Sequence, residues 1–190
     1  MNVKISRAHI GDVPAIATLV DRYARHGAVL PRPPEDIYET VREWVVARSD
    51  GEIVGCGSLV ILWADLAEIR SLIVDPEVQG NGIGRQIVEA LLAEASALEI
   101  PRVFALTRKP GFFAKLGFET LPREALPRKI WKDCMHCTKF TGCDEVAFIK
   151  VLSSAATNVG DRAAAASSAP ADNHDACSYL VLSEPSAVRR

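Results

Sequence analysis

Three glycines on alternate positions, Gly80, Gly82 and Gly84, stand between an apolar run and an amphipathic stretch in VDPEVQGNGIGRQIVEALL, residues 74–92. Glycines in this arrangement let bare backbone N–H groups come close to an anion, most often a phosphate, and a helix beginning near Ile83 adds the positive end of its dipole. Two familiar phosphate loops are excluded. The dinucleotide pattern G-x-G-x-x-G lacks its third glycine, because Arg85 or Ile87 occupies that position, and the P-loop pattern meets Arg85 and Gln86 where its second glycine and its lysine belong. What is left is a strand, an Asp75-Pro76 turn, a glycine loop and a helix start that favours negative charge.

Charged side chains gather just upstream. In LAEIRSLIVD, strand alternation puts Glu68, Arg70 and Leu72 on one face, so an acid and a cation point the same way. Arg32 sits between Pro31 and Pro33 in a braced loop, and an arginine can grip a carboxylate with two parallel hydrogen bonds. Further on, Cys134, Cys137 and Cys143 follow a Cys-x2-Cys-x5-Cys spacing with His136 and Asp144 nearby. Cys-x2-Cys is half of many zinc sites, and His136, Cys177 or a second chain could supply the fourth ligand; the competing reading is a set of reduced thiols in a structured loop. Cys56, in VGCGSL, reads as a small buried core residue.

These groups need a scaffold, and 190 residues with 48% hydrophobic side chains can build one full core. A formal net charge of −2 argues against a generic nucleic-acid or anionic-membrane surface and for a small-molecule partner. The opening MNVKISRAHIGD has no apolar leader core and no stretch approaches the length of a membrane span, so a cytoplasmic location is expected. Residues 3–7 read as a strand; Asp12 then caps a helix carrying Val13, Ile16, Leu19, Val20 and Tyr23, with Gly27 just past its end. After the break VLPRPPED, residues 37–43 are expected as a second short helix, and Asp50-Gly51 marks a hairpin between two β-rich runs. The strand before the glycine loop, a helix over 83–98, the strand RVFALT, a short helix and turn in PGFFAKLGFE and a last strand in EVAFIKVL complete the order. Hairpin strands followed by strand-helix alternation predict an α/β (α+β) domain with a mixed central sheet and helices on both faces. Residues 1–152 are expected to form that domain, and the Ala/Ser-rich residues 153–190 a disordered tail.

The order of elements, with QGNGIG opening the central helix and FFAKLGF following the next strand, resembles the GNAT superfamily of acetyl-CoA-dependent N-acetyltransferases. Gln79, Gly82 and Gly84 match its Gln/Arg-x-x-Gly-x-Gly/Ala signature. The resemblance implies that the backbone of Gln79, Gly80, Asn81, Gly82, Ile83, Gly84 and Arg85 cradles the coenzyme pyrophosphate. It also implies that the strand edge at Leu72, Ile73 and Val74 pairs with the pantetheine arm. Three further stretches, GAVLPRP, AEIRSLIVDP and LPRKIWKDCMHCTKFTGCDEVA, resemble the short amino-acid N-acetyltransferases related to N-acetylglutamate synthase, over residues 3 to about 152. By that resemblance acetyl passes from acetyl-CoA to the α-amine of L-glutamate, the entry step of arginine biosynthesis, and a homodimer is expected.

On the same footing, Glu68 is the candidate to accept the ammonium proton through water, and Arg32 and Arg70 are the candidates for the substrate carboxylates, with Lys109 a lesser one. One departure stands out: where many members carry a tyrosine as general acid for the coenzyme thiolate, this chain has Phe113, which cannot donate a proton. Acetylation of another amine, and coenzyme binding without turnover, are the alternatives.

Overall fold

The computed structural model describes residues 2–122, 125–126 and 142–152. Cys134 and Cys137, Cys177 and the segment 153–190 lie outside the described residues. The elements are β1 (Val3–Arg7), α1 (Val13–Ala24), α2 (Pro34–Glu39), β2 (Trp44–Ser49), β3 (Glu52–Trp63), β4 (Leu66–Val74), α3 (Ile83–Ala97), β5 (Arg102–Thr107), α4 (Pro110–Lys115), β6 (Glu119–Leu121) and β7 (Val146–Val151). One seven-stranded sheet orders them β1-β2-β3-β4-β5-β7-β6. All neighbouring strands run antiparallel except β4 and β5, which are parallel because the α3 crossover joins them.

Both faces are covered, as the hydrophobic pattern requires. α3 turns Ile83, Ile87, Val88, Leu91 and Ala95 onto one face, where they join Val45, Leu59, Ile69 and Phe113 of α4. α1 and α2 bring Val13, Ile16, Val20 and Ile37 to the other face, against Trp44, Val46, Cys56 and Ile73. The glycines of VGCGSL explain how α3 lies so close to the sheet. A Cβ on Gly55 would stand 3.1 Å from the Ile87 side chain, and one on Gly57 would stand 3.0 Å from it. Cys56 between them faces the opposite cluster and is fully buried, and burial pushes its thiol up to about 12. It is the core residue its sequence context predicts.

Two elements differ from the sequence reading. The second helix begins at Pro34 rather than near Ile37, since Pro34 at its first position needs no N–H partner there, and it stops at Glu39 before a separate 3-10 turn over Val41–Glu43. The three-residue strand β6 pairs with β7 at the sheet edge and is too short to leave a periodic signal. The Asp50-Gly51 turn forms as read, both residues taking the left-handed conformation that this tight hairpin requires (φ 51° and 89°).

Candidate functional site

The parallel pairing of β4 with β5 runs only from Ala67↔Val103 to Ile69↔Ala105, although β4 continues to Val74 and β5 to Thr107. Beyond that point the two strands part, and a cleft of about 630 Å³ opens between them. A β-bulge marks the divergence. Cys56 pairs with Ile73 and Ser58 with Arg70, so Ser71 and Leu72 together oppose Gly57. Ser71 absorbs the extra residue with φ 49°.

The bulge corrects one expectation. Leu72 does not share a face with Glu68 and Arg70; it has crossed to the α3 side, where a Cβ on Gly57 would sit 3.4 Å from its Cδ1. A uniform two-residue alternation cannot anticipate this, because the bulge inserts one residue into the count.

One wall of the cleft is made of backbone. The Asp75 N–H donates to the Val54 carbonyl (2.8 Å), so the peptide groups of Val74 point the other way, into the cleft. The Val74 carbonyl there accepts from the Tyr23 hydroxyl (2.8 Å) and from Gln79 Nε2 (2.8 Å). Burial, and after it the Asp75 carboxylate, raises the Tyr23 phenol above its ordinary value, which keeps the hydroxyl a donor at neutral pH. Gly80 and Gly82 take φ 84° and 76°, and a Cβ on either would meet nothing within 4 Å, so their requirement is conformational rather than steric. The first helical bond of α3 runs from the Gln86 N–H to the Gly82 carbonyl (3.1 Å). The N–H groups of residues 83–85 therefore lack helical acceptors and suit an anionic ligand. Asn81 does not line the cleft; its side chain turns back to donate to the Val78 carbonyl (3.0 Å) and shapes the loop instead.

The other wall is made of charged side chains. Glu68 is only 7% exposed and accepts from Arg70 Nε at 2.5 Å. Arg32, from the loop after α1, lines the same cleft. Burial raises the Glu43 carboxyl above the usual carboxylate range, while the fields of Arg70 and Arg32 pull it down, so this acid stands within electrostatic reach of both. Across the cleft Arg108 donates to the Gly27 carbonyl (2.5 Å), with Nη1 3.9 Å from Asp144 Oδ2. That bond ties the end of β5 to the α1–α2 loop that carries Arg32. Lys109 and Glu145 also face the cleft.

The structure thus gathers Arg32, Glu68, Arg70, the strand edge 72–74 and all of the predicted loop except Asn81 around one cavity. Phe113 is buried, edge-on to Phe112 (5.1 Å) and Phe118 (5.2 Å), a packing role with no proton to give. Tyr23, Glu43, Arg108 and Glu145 were not singled out from sequence. Of these, only Glu145 lay within a stretch that carried the resemblance. Cys143 is half-buried, with Sγ 3.9 Å from Glu145 Oε2. Among the described residues no group of three or more His, Cys, Asp or Glu could hold a metal ion.

A parallel strand pair that parts beside a glycine-rich helix start defines an acetyltransferase-type cleft, and residues 16–118 match the acetyltransferase (GNAT) family model. The chain belongs to that family and is an acetyl-CoA-dependent N-acetyltransferase. Among curated relatives, an N-acetyltransferase of Chlorobaculum tepidum, whose own function is uncharacterized, is 39% identical over 148 residues, 78% of this chain and 96% of the relative. An amino-acid acetyltransferase of Mycobacterium tuberculosis is 48% identical over 117 residues, 60% of this chain and 67% of the relative. Among solved structures, N-acetylglutamate synthase from Neisseria gonorrhoeae, complexed with coenzyme A and N-acetyl-glutamate, superposes with a TM-score of 0.73 at 30% identity. That match covers 80% of this chain but only 36% of the Neisseria chain. Among the described residues no helix is long and apolar enough to cross a membrane.

Proposed function

We propose that this protein transfers acetyl from acetyl-CoA to the α-amine of L-glutamate, the step that opens arginine biosynthesis. The observation that carries the reading is that Arg32 and Arg70 line the cleft in which the backbone wall ends. A dicarboxylate acceptor needs fixed cations, and the amino-acid acetyltransferase names among the relatives favour an amino acid in that place. The pyrophosphate of the coenzyme lies on the loop 79–85, and the pantetheine arm follows the edge at Leu72, Ile73 and Val74. Glu68 accepts the ammonium proton through water. The freed amine attacks the thioester carbonyl carbon, a C–N bond forms, the nitrogen gives its second proton to water as the C–S bond breaks, and the coenzyme leaves as thiolate to be protonated from water, Phe113 having no proton to offer. A homodimer belongs to the same proposal and is read by sedimentation of the purified protein.

The test is to mix the protein with acetyl-CoA and each free amino acid in turn, following thiol release and weighing the product by mass. Selective formation of N-acetylglutamate is expected. Turnover confined to another amine, or coenzyme binding with no turnover, would overturn the choice of acceptor.

A further inference from the structure

The cations of the acceptor wall answer the carboxylates of an amino acid, but a zwitterion also brings an ammonium. The sheet register shows which acids share the wall. Glu68 pairs with Phe104 across the parallel ladder, and Phe104 pairs with Ile149 across the antiparallel one. Directly paired residues lie on one face, and every second residue returns to it, so Arg70, Leu106 and Ala147 share the face of Glu68, and Glu145 stands two residues before Ala147, just ahead of β7. Leu106 and Glu145 line the cleft beside Glu68 and Arg70.

The two acids are differently engaged. Glu68 is buried and held by the Arg70 guanidinium at 2.5 Å. Glu145 is half-buried at the cleft margin, and its described hydrogen-bond partner is the Cys143 thiol, a weak donor, at 3.9 Å. The neighbouring Arg108 turns its guanidinium to Gly27 and Asp144 instead. A carboxylate so placed has lone pairs to offer a ligand cation.

We infer that Glu145 is a specificity-determining residue that binds the α-ammonium of the amino-acid acceptor. Arg32 and Arg70 take its carboxylates. This rests on the amino-acid reading above and deepens it. Glu145 holds the ammonium in the ground state, and Glu68 takes its proton during transfer. The two roles separate kinetically, because a carboxylate that holds the ammonium acts on substrate binding and on the acidity of the bound ammonium, while one that takes the proton acts on kcat.

The experiment is steady-state kinetics of wild type and Glu145→Gln with L-glutamate, alongside acetyl-CoA binding by calorimetry. The expected result is a KM for the amino acid raised at least about tenfold, with kcat not lowered, its pH profile moved to lower pH because the bound ammonium loses the carboxylate that stabilised it, and acetyl-CoA affinity unchanged. Glu145→Asp, which keeps the charge but withdraws it by one methylene, should fall between the two; it carries the same test should Glu145→Gln not fold. An unchanged KM, or a loss confined to kcat, would overturn the inference while leaving the glutamate reading intact. If wild type acetylates another amino acid, the same measurement is made with that acceptor. Wild-type protein that binds acetyl-CoA but acetylates no free amino acid would remove both.

Discussion

The two walls of the cleft are built on opposite principles. The wall proposed for the coenzyme is backbone: the Val74 carbonyl with its two donors, the left-handed glycines 80 and 82, and the N–H groups at the start of α3. Contiguous residues of β4, one loop and one helix supply nearly all of it. The wall proposed for the acceptor is side chain: Arg32 from a loop, Glu68 and Arg70 from β4, and Arg108 and Glu145 from the ends of β5 and β7. A phosphate-bearing coenzyme common to a whole family can be met by peptide groups, which do not change with sequence. An acceptor that differs among members must be met by groups that do.

The largest effect that could break this division is expected at Arg70. Replacing it with alanine removes a cation proposed for the substrate and leaves the buried Glu68 without its bidentate-capable neighbour. A loss of about 2–4 kcal/mol in folding stability is expected, with kcat/KM for the amino acid lowered about a hundredfold or more. Acetyl-CoA affinity should change little. If thermal melts and kinetics instead show coenzyme binding falling in step with acceptor use, the walls do not act separately. Arg70→Lys keeps the charge but not the planar fork, and should recover stability better than activity.

Gly82→Ala attacks the other wall. Alanine fits sterically, since a Cβ meets nothing within 4 Å, but at φ 76° the left-handed backbone costs about 1–2 kcal/mol. Relief of that strain would move the amides at the start of α3, and acetyl-CoA affinity, read by calorimetry, should fall about tenfold. The KM for the amino acid at saturating coenzyme should stay near wild type.

These walls were unequally legible in the sequence. Positive-φ glycines have few substitutes, so Gly80-x-Gly82 announced the loop from composition alone, and helical spacing announced the α3 face behind it. Arg32 and Arg70 were found through the resemblance, and the structure brings them to one cavity. Leu72 was misplaced because a bulge leaves no mark in residue types. The pairings of Arg108 and Tyr23 were invisible for a different reason. Their partners lie far along the chain, Gly27 in one case and Val74 in another, and no local pattern encodes a pairing made only by the folded sheet.

Tyr23 sharpens the boundary between the walls, because it anchors α1, and hence the loop of Arg32, to the coenzyme strand. Tyr23→Phe removes one of two donors from the Val74 carbonyl while Gln79 Nε2 remains, so a loss of about 1 kcal/mol is expected. The KM values for coenzyme and amino acid should both rise a few-fold, the signature of a residue shared by the walls. The pH dependence follows from the raised phenol. The folded state holds this proton more tightly than the unfolded chain, so its contribution is complete below the unfolded phenol value near about 10 and is lost as pH rises through the folded one. Wild type should therefore lose more stability than Tyr23→Phe in alkaline urea titrations.

The smallest effect, expected at Glu43, asks whether an acid within reach of Arg32 and Arg70 but outside the cleft lining tunes them. Burial is the largest influence on its carboxyl and raises it, against the opposing pull of Arg70 and Arg32. With the folded value above the unfolded one, the contribution of Glu43 to stability is present below about pH 4 and is lost as pH rises through the folded value. At neutral pH its ionised form therefore works against folding, and Glu43→Gln should melt slightly higher than wild type at pH 7, with the advantage gone near pH 4. The same carboxylate competes with substrate for the fields of the two arginines. Its removal should lower the KM for an acidic acceptor a few-fold and leave that for a neutral amino acid unmoved. A higher KM for the acidic acceptor would mean instead that Glu43 orients the arginines, and that the wall depends on a neighbouring acid as much as on its cations.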